Sequence, residues 1–272
     1  MYIYRFIAMS TPCEIILYHK DKAKADAMAQ EILVETKRLE KKYNYYDSES
    51  YLSQINNRSE SYLDPESKSL LQRAKQYYKQ TNAIFDITMA TLKPLYGESQ
   101  TLEVLATERE KRIAYVGCEH FGIKKEQLIF DNPFTQIDLG GFVKEYAVDR
   151  AIVLLRKKKF SSALVNFGGD IYALGSKPNG EVFRVGIKDP KQSEKNAQEI
   201  KITDQALTTS ASYERSYTIE NHAFSHILGK EERALDNRSV TVISSSCVES
   251  GVYSTALMID ATLKSNHKVI VL

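Results

Sequence analysis

Apolar and polar positions alternate with a period of two at the start of the chain, through Tyr2-Ile3-Tyr4-Arg5-Phe6-Ile7, which predicts a strand over about 2–8. A second strand is expected over 13–18, joined to the first by Met9-Ser10-Thr11-Pro12. From about 22 to 43 the period becomes helical, with Ala25, Met28, Ile32, Leu33 and Leu39 on the apolar stripe. Tyr45 to Asn56 reads as a polar loop entering a short helix, and Asp64-Pro65-Glu66 opens another that runs to about Thr81, its proline in the first turn. The run from Phe85 to Gly97 is apolar but interrupted and is expected inside the molecule, and Thr107 to Val116 is expected to be helical. From residue 183 onward strands dominate: 183–188, 206–209, 216–219, 224–228 and 239–243, then a helix over about 249–259 and a last strand over 268–272. Residues 189–198 read as a polar loop. Helices and strands mix without strict alternation, so the expected class is α+β: one large domain over 1–272, with mixed or antiparallel sheets and flanking helices.

Two Gly-Gly pairs flank one helical stretch. Thr135-Gln136-Ile137-Asp138-Leu139-Gly140-Gly141 precedes it and Ala163-Leu164-Val165-Asn166-Phe167-Gly168-Gly169-Asp170 follows it. Between them Phe142, Tyr146, Ala147, Ala151, Ile152, Leu154 and Leu155 recur at helical spacing, giving strand, Gly-Gly, helix, strand, Gly-Gly-Asp, strand. Glycines at strand ends let a ligand approach the backbone, and a helix start offers free N–H groups to phosphate, although most such pairs are only tight turns. With Lys144 in the first helical turn and Asp170 directly after the second pair, the unit favours a nucleotide-like ligand.

Composition narrows the remaining classes. The apolar fraction of 43%, charged fraction of 26% and net charge of +2 are those of an ordinary globular protein, with no pull toward nucleic acid or anionic membrane. The basic runs at 37–42 and 156–159 read as solvated helix faces. The three cysteines, Cys13, Cys118 and Cys247, are widely spaced and form no CxxC, which argues against a disulfide framework or zinc site and suits a reducing compartment. No run approaches the roughly 18 apolar residues of a membrane span, and the N-terminus alternates like a strand with no signal-peptide or lipobox pattern, so a cytoplasmic protein without an integral membrane segment is expected.

A series of short stretches resembles, in order and nearly end to end, the motifs of the ApbE-like FAD:protein FMN transferases. Met9-Ser10-Thr11 resembles an M-G-T segment, Tyr46 to Asn56 the pattern Y-x-x-x-S-x-L-x-x-x-N, and Phe85-Asp86-Ile87-Thr88 the pattern F-D-x-T. Asp138 to Asp149 resembles D-L-G-G-x-A-K-G-Y-A-V-D, Asn166 to Asp170 resembles N-x-G-G-D, and Thr209 to Arg215 resembles T-S-G-x-Y-x-R. Ser225-His226-Ile227-Leu228 stands where the family has H-I-I-D-P, and Ser254-Thr255-Ala256-Leu257 matches the end of A-D-A-L-S-T-A-L. The resemblance implies an ApbE-like fold and a magnesium-dependent enzyme that cleaves the FAD pyrophosphate, moves FMN to a Thr or Ser hydroxyl of an acceptor protein and releases AMP. Carried over by position, it implies FAD contacts at Met9, Tyr46, Phe85, Asp86, Ile87, Asp138, Lys144 and Leu228. It implies metal ligands at Gly141, through the backbone oxygen, and Thr255, and a base at His226.

On these residues Lys144 would place a point charge on diphosphate oxygens, and Met9 and Tyr46 would pack against an aromatic ring. Asp138 has two readings, acceptor from adenine or ribose and N-cap of the following helix, and both can hold. Asp170 reads equally as an orienter of its loop or as a ligand contact. His226 lies on a predicted strand four residues after His222; a two-histidine metal pair lacks a third ligand nearby, and an imidazole titrates near neutrality, as a base requires. Three departures weigh against full activity. Gly251 stands where the pattern places a metal-binding Asp four residues before Thr255, Glu145 stands where glycine follows the lysine, and Gly229-Lys230-Glu231-Glu232-Arg233 replaces D-P-x-T-G. Glu249, two residues before Gly251, would point to a different helix face from Thr255. The flavin pocket is thus better matched than the metal centre. Besides transfer, this leaves an FAD-binding carrier with little or no activity and an FAD hydrolase giving FMN and AMP. An Asp at position 251 is expected to strengthen magnesium dependence.

Overall fold

The alternating N-terminal segment forms an antiparallel hairpin, β1 (Tyr2–Ala8) and β2 (Thr11–Leu17), turned through Met9 and Ser10 at φ of 51° and 57°. Two left-handed residues are what a two-residue turn needs to match the twist of its strands. In this computed structural model, residues 1–190, 192–212, 216–231 and 238–272 are described. Tyr213, Glu214 and Arg215 of the T-S-G-x-Y-x-R-like stretch, and Glu232 and Arg233 of the third departure, lie outside them.

Three helices follow: α1 (Lys22–Lys42), α2 (Tyr51–Asn56) and α3 (Pro65–Gln80). Each begins on a side-chain cap: Asp21 accepts from Lys24 N, Ser50 from Ser53 N and Asp64 from Ser67 N, with Pro65 just inside the start of α3. A buried 3-10 turn, Ile87–Thr91, leads to α4 (Leu95–Glu98) and α5 (Leu102–Ile113). The latter starts five residues before the expected helix because Thr101, and not Thr107, caps it by accepting from Val104 N. The hairpin of β3 (Phe121–Lys124) and β4 (Gln127–Phe130) leaves too short a trace to read in the sequence.

The glycine-flanked unit supplies α6 (Gly140–Lys157), β5 (Ala163–Phe167) and β6 (Asp170–Leu174). Then come β7 (Phe183–Asp189), β8 (Gln192–Ile202), β9 (Gln205–Ala211), β10 (Ser216–Ile219), β11 (His222–Ser225), β12 (Ser239–Ser244), α7 (Cys247–Ile259) and β13 (Lys268–Val271). Seven strands build one sheet in the order β1-β2-β5-β6-β9-β12-β13, every neighbouring pair antiparallel. The α+β class is as expected.

Helices α1, α6 and α7 pack on one face of this sheet, where Ile15, Ile32, Phe142, Ile152, Val165, Val242 and Val252 join a common core. The β7–β8 ribbon contributes to a second core, packing Phe183, Val185, Ile187, Ile200 and Ile202 with Ile171, Ala173, Leu207 and Ile243 of the sheet. Two expectations are overturned. Residues 189–198 are not a loop: most of them extend the β7–β8 ribbon, whose far end is exposed on both faces and so lacks the alternation that marks a half-buried strand. Residues 135–139 are not a strand of any sheet among the described residues. The Asn56 carboxamide donates to Ile137 O (2.8 Å) and accepts from Ile137 N (2.9 Å), and Asp138 N donates to Ile87 O (2.9 Å), so side chain and loop stand in for a neighbouring strand.

Candidate functional site

Above the helix-covered face, at the β1–β2 turn and the start of α6, a cavity of about 590 Å³ opens. Its volume lies within the range of about 300–1,000 Å³ typical of ligand pockets. Met9, Tyr46, Phe85, Asp86, Ile87, Asp138, Gly141, Lys144, His226, Leu228 and Thr255, drawn from across the sequence, all line it.

Near the mouth, Tyr46 is 75% exposed, so it is not a core residue. Tyr45 meets it edge to face at 5.4 Å between ring centres, and the Lys93 ammonium lies 4.7 Å from the Tyr46 ring. Burial alone would lower the Lys93 pKa, but its ion pair with Asp138 outweighs this and raises it. Asp138 therefore serves two partners: its Oδ1 also accepts from Gly140 N (2.8 Å) at the start of α6. The helix N-cap itself is Leu139, which has no side-chain cap, so the capping reading holds only in this displaced form. Met9 donates its N–H to Glu40 of α1, which fixes the turn at the cavity edge.

Asp86 is buried, and its Oδ1 accepts from Thr88 N (2.8 Å) and Thr88 Oγ1 (2.5 Å), which explains aspartate and threonine two apart. Its Oδ2 has no hydrogen-bond partner among the described residues, and burial raises its pKa. The second glycine pair is the turn between β5 and β6, at φ of 62° and 96°, held by Asn166 Oδ1 accepting from Gly169 N (2.9 Å). A Cβ on Gly168 would fall 2.0 Å from Thr11 Oγ1, so its backbone approaches a neighbouring side chain. Gly141 differs: nothing lies within 4 Å of its virtual Cβ, and its φ of −90° and ψ of 23° depart from the helix.

At the inner end, Lys144 Nζ pairs with Asp170 Oδ2 at 2.7 Å, and the Asp170 side chain is 2% exposed. Glu145 beside it is 5% exposed, and its Oε2 has no hydrogen-bond partner among the described residues. Burial first, and the neighbouring Asp170 charge second, push the Glu145 pKa well above the carboxylate range. Across from them Ser210 of β9 shares hydrogen bonds with Ser254 (2.8 Å) and Thr255 (3.2 Å) of α7. Glu249 faces elsewhere, toward Ser245 and His267.

His226 lines the cavity, but the strand expected over 224–228 ends at Ser225, whose hydroxyl accepts from Ile227 N (3.1 Å) and turns the chain away. His222 is exposed on β11, outside the cavity lining. Arg109 of α5 donates to Gly229 O (2.9 Å) and Lys230 O (2.5 Å), tying down the segment after Leu228. All three cysteines are buried free thiols. No described helix is long and apolar enough to cross a membrane.

Sequence reasoning did not place Tyr45, Lys93 or Ser210 in the site, and noted Glu145 only as a departure. Ser210 sits inside the T-S-G-x-Y-x-R-like stretch. Lys93 carried no local signal, because its partner Asp138 is 45 residues away.

The ApbE family model matches residues 9–267. A FAD:protein FMN transferase of Chlamydia pneumoniae is 31% identical over 230 residues, covering 79% of this chain and 71% of that protein. One of Vibrio cholerae is 28% identical over 225 residues, covering 79% and 67%. Among solved structures, the ApbE protein of Thermotoga maritima superposes with a TM-score of 0.84 at 27% identity, over 96% of this chain and 87% of that one. The cavity, the order of its motifs and these matches agree: this chain belongs to the ApbE family.

Proposed function

We propose that this cavity binds FAD and that the chain transfers its FMN half to a Thr or Ser hydroxyl of an acceptor protein, with release of AMP. The observation that carries the reading is the convergence of residues from Met9 to Thr255 on one cavity that has an aromatic mouth and a charged inner end. Flavin and adenine rings suit Tyr46, Met9 and the Phe85–Ile87 stretch, and Leu228 adds an apolar contact. The diphosphate suits the Gly140–Gly141 helix start and Lys144, which exchanges part of its pairing with Asp170 for phosphate oxygen.

In the proposed reaction the acceptor oxygen attacks the phosphorus on the FMN side. A new P–O bond forms, the P–O bond to AMP breaks, and the hydroxyl proton passes to His226. Phosphoryl transfer needs alignment and charge neutralisation more than covalent work by the protein. The inner end fits a hard divalent cation: the Gly141 carbonyl, the Thr255 hydroxyl and the orphaned Glu145 oxygen are all oxygen donors at one end of the cavity. When bound, magnesium would neutralise charge on the diphosphate and the departing AMP.

The test is incubation with FAD, magnesium and a threonine-bearing acceptor, followed by mass spectrometry. Covalent FMN on the acceptor is expected. Free FMN and AMP alone would make the chain a hydrolase, and intact bound FAD alone would make it a carrier.

A further inference from the structure

The two positions at which the inner end departs from the resembled pattern, Glu145 and Gly251, face each other. A Cβ built on Gly251 would lie 2.6 Å from Glu145 Cγ and 2.9 Å from its Oε1. The Glu145 side chain thus occupies the space beside Gly251 that any larger residue there would need. Helix packing explains the meeting. Asp149 of α6 accepts from Cys247 N (2.8 Å) and Val248 N (3.2 Å) at the start of α7, which locks the two helices in antiparallel register. One turn back along α6 is Glu145, and one turn forward along α7 is Gly251. A further turn brings Gly141 and Thr255, both of which line the cavity.

Glu145 is 5% exposed, lines that same inner end, and leaves Oε2 without a hydrogen-bond partner among the described residues. Its neighbour Lys144 is paired with Asp170. A buried carboxylate with an empty oxygen is costly, and such groups persist where they coordinate a cation.

We propose that Glu145 is a carboxylate ligand of a divalent cation, reaching from α6 into the place an aspartate at 251 would fill from α7, with the Gly141 carbonyl and Thr255 hydroxyl as companions. Gly251 is then the residue that makes room for the carboxylate. The proposal rests on the proposed function for the cation's purpose, and on the packing of α6 against α7 for its geometry. It also reverses the expectation for Gly251→Asp: alone, that change overlaps Glu145 and does not improve the site.

Mn2+ titration of the purified chain, read by electron paramagnetic resonance without FAD, tests this. Wild type should bind, and Glu145→Gln should weaken binding by at least about 10- to 100-fold, the cost already of losing a residue that only supports a ligand. Glu145→Gly should lose affinity similarly, and the double variant Glu145→Gly/Gly251→Asp should recover to within about threefold of wild type. Glu145→Gln keeps the volume and puts a neutral group where burial already favours the neutral form, so its thermal unfolding without metal should not fall below that of wild type. If it does not fold, the double variant carries the test alone. Absence of Mn2+ binding by wild type, affinity unchanged in Glu145→Gln, or a folded double variant that does not bind would each overturn the proposal. Quenching of FAD fluorescence in chelator separates the two readings. FAD binding with Mn2+ affinity indifferent to Glu145 defeats only this inference, whereas Glu145-dependent Mn2+ binding without FAD binding defeats only the flavin reading.

Discussion

Asn56 spends both ends of its carboxamide on one peptide unit, that of Ile137, and so works as a one-residue neighbouring strand for the segment that carries Asp138. Several motif residues turn out to be of this supporting kind: Ser50 caps α2, Thr88 binds Asp86, Asn166 holds the Gly169 turn and Asp149 docks α7. Asn56→Ala should cost about 1–3 kcal/mol, because two backbone groups lose their partner in a half-buried place, and urea unfolding will show it. Gly168→Ala should cost a similar amount. Its φ of 62° is unfavourable for alanine, and the new methyl would meet Thr11 Oγ1 at 2.0 Å, which cannot be relieved without moving the β1–β2 turn. Lys144 is of the other kind. Removing its ammonium takes a cation from the cavity, so Lys144→Ala should weaken FAD binding by about tenfold or more, the worth of one charge-assisted hydrogen bond. A fluorescence titration giving wild-type affinity would remove Lys144 from the proposed site.

Elements were legible where one face is buried and a cap marks the end. The first hairpin, α1, α3, α6 and β10 fall close to their expected bounds: period marks the hairpin, the Asp21 and Asp64 caps add to it in α1 and α3, and the glycine pairs bracket α6. The expected strand over 135–139 failed for a physical reason: its partner is a side chain distant in sequence. Strand β8 failed in the other direction, because its residues 194–199 are all exposed and show no period, whereas β7 alternates and matches the strand expected over 183–188. The pairing between α1 and α3 was equally invisible, yet it sets a pH response. Arg38 makes a two-bond pair with Glu66 (2.7 and 2.9 Å), and Lys42 reaches both Glu66 (2.9 Å) and Asp64 (2.6 Å). Burial would raise the Glu66 pKa, but Arg38 and Lys42 outweigh it and hold it at about 2, against an ordinary 4.5. A folded pKa below the unfolded one means that this stabilisation is complete above 4.5 and is lost as pH falls from there toward 2. Solvent screening at a partly exposed cluster brings it to about 1 kcal/mol. Urea unfolding at pH 6 and pH 3, compared between wild type and Glu66→Gln, should show the variant's acid loss smaller by somewhat more than half that amount, since pH 3 still lies above the folded pKa.

For the molecule as a whole, the motifs announced their order along the chain but not their meeting place. Convergence comes from an antiparallel sheet that places the β1–β2 turn and the β5–β6 turn side by side, and from α6 and α7 packed on the face below. Because the cavity draws on the first hairpin, α1, α6, β9 and α7 together, a ligand filling it must stabilise the whole fold and not one segment. At a free FAD concentration about 100 times its Kd the gain is about 2.7 kcal/mol. For a chain of this size that is a rise in Tm of about 5–10 °C. Ribbon β7–β8 packs in the second core, away from the cavity lining, and supplies the control. Ile187→Val should lower Tm through about 1 kcal/mol of lost packing while leaving the FAD-induced rise intact. Lys144→Ala should instead shrink that rise at fixed FAD. A Tm that does not move with FAD in wild type, or a rise that Ile187→Val abolishes and Lys144→Ala spares, would place the flavin elsewhere than in this cavity.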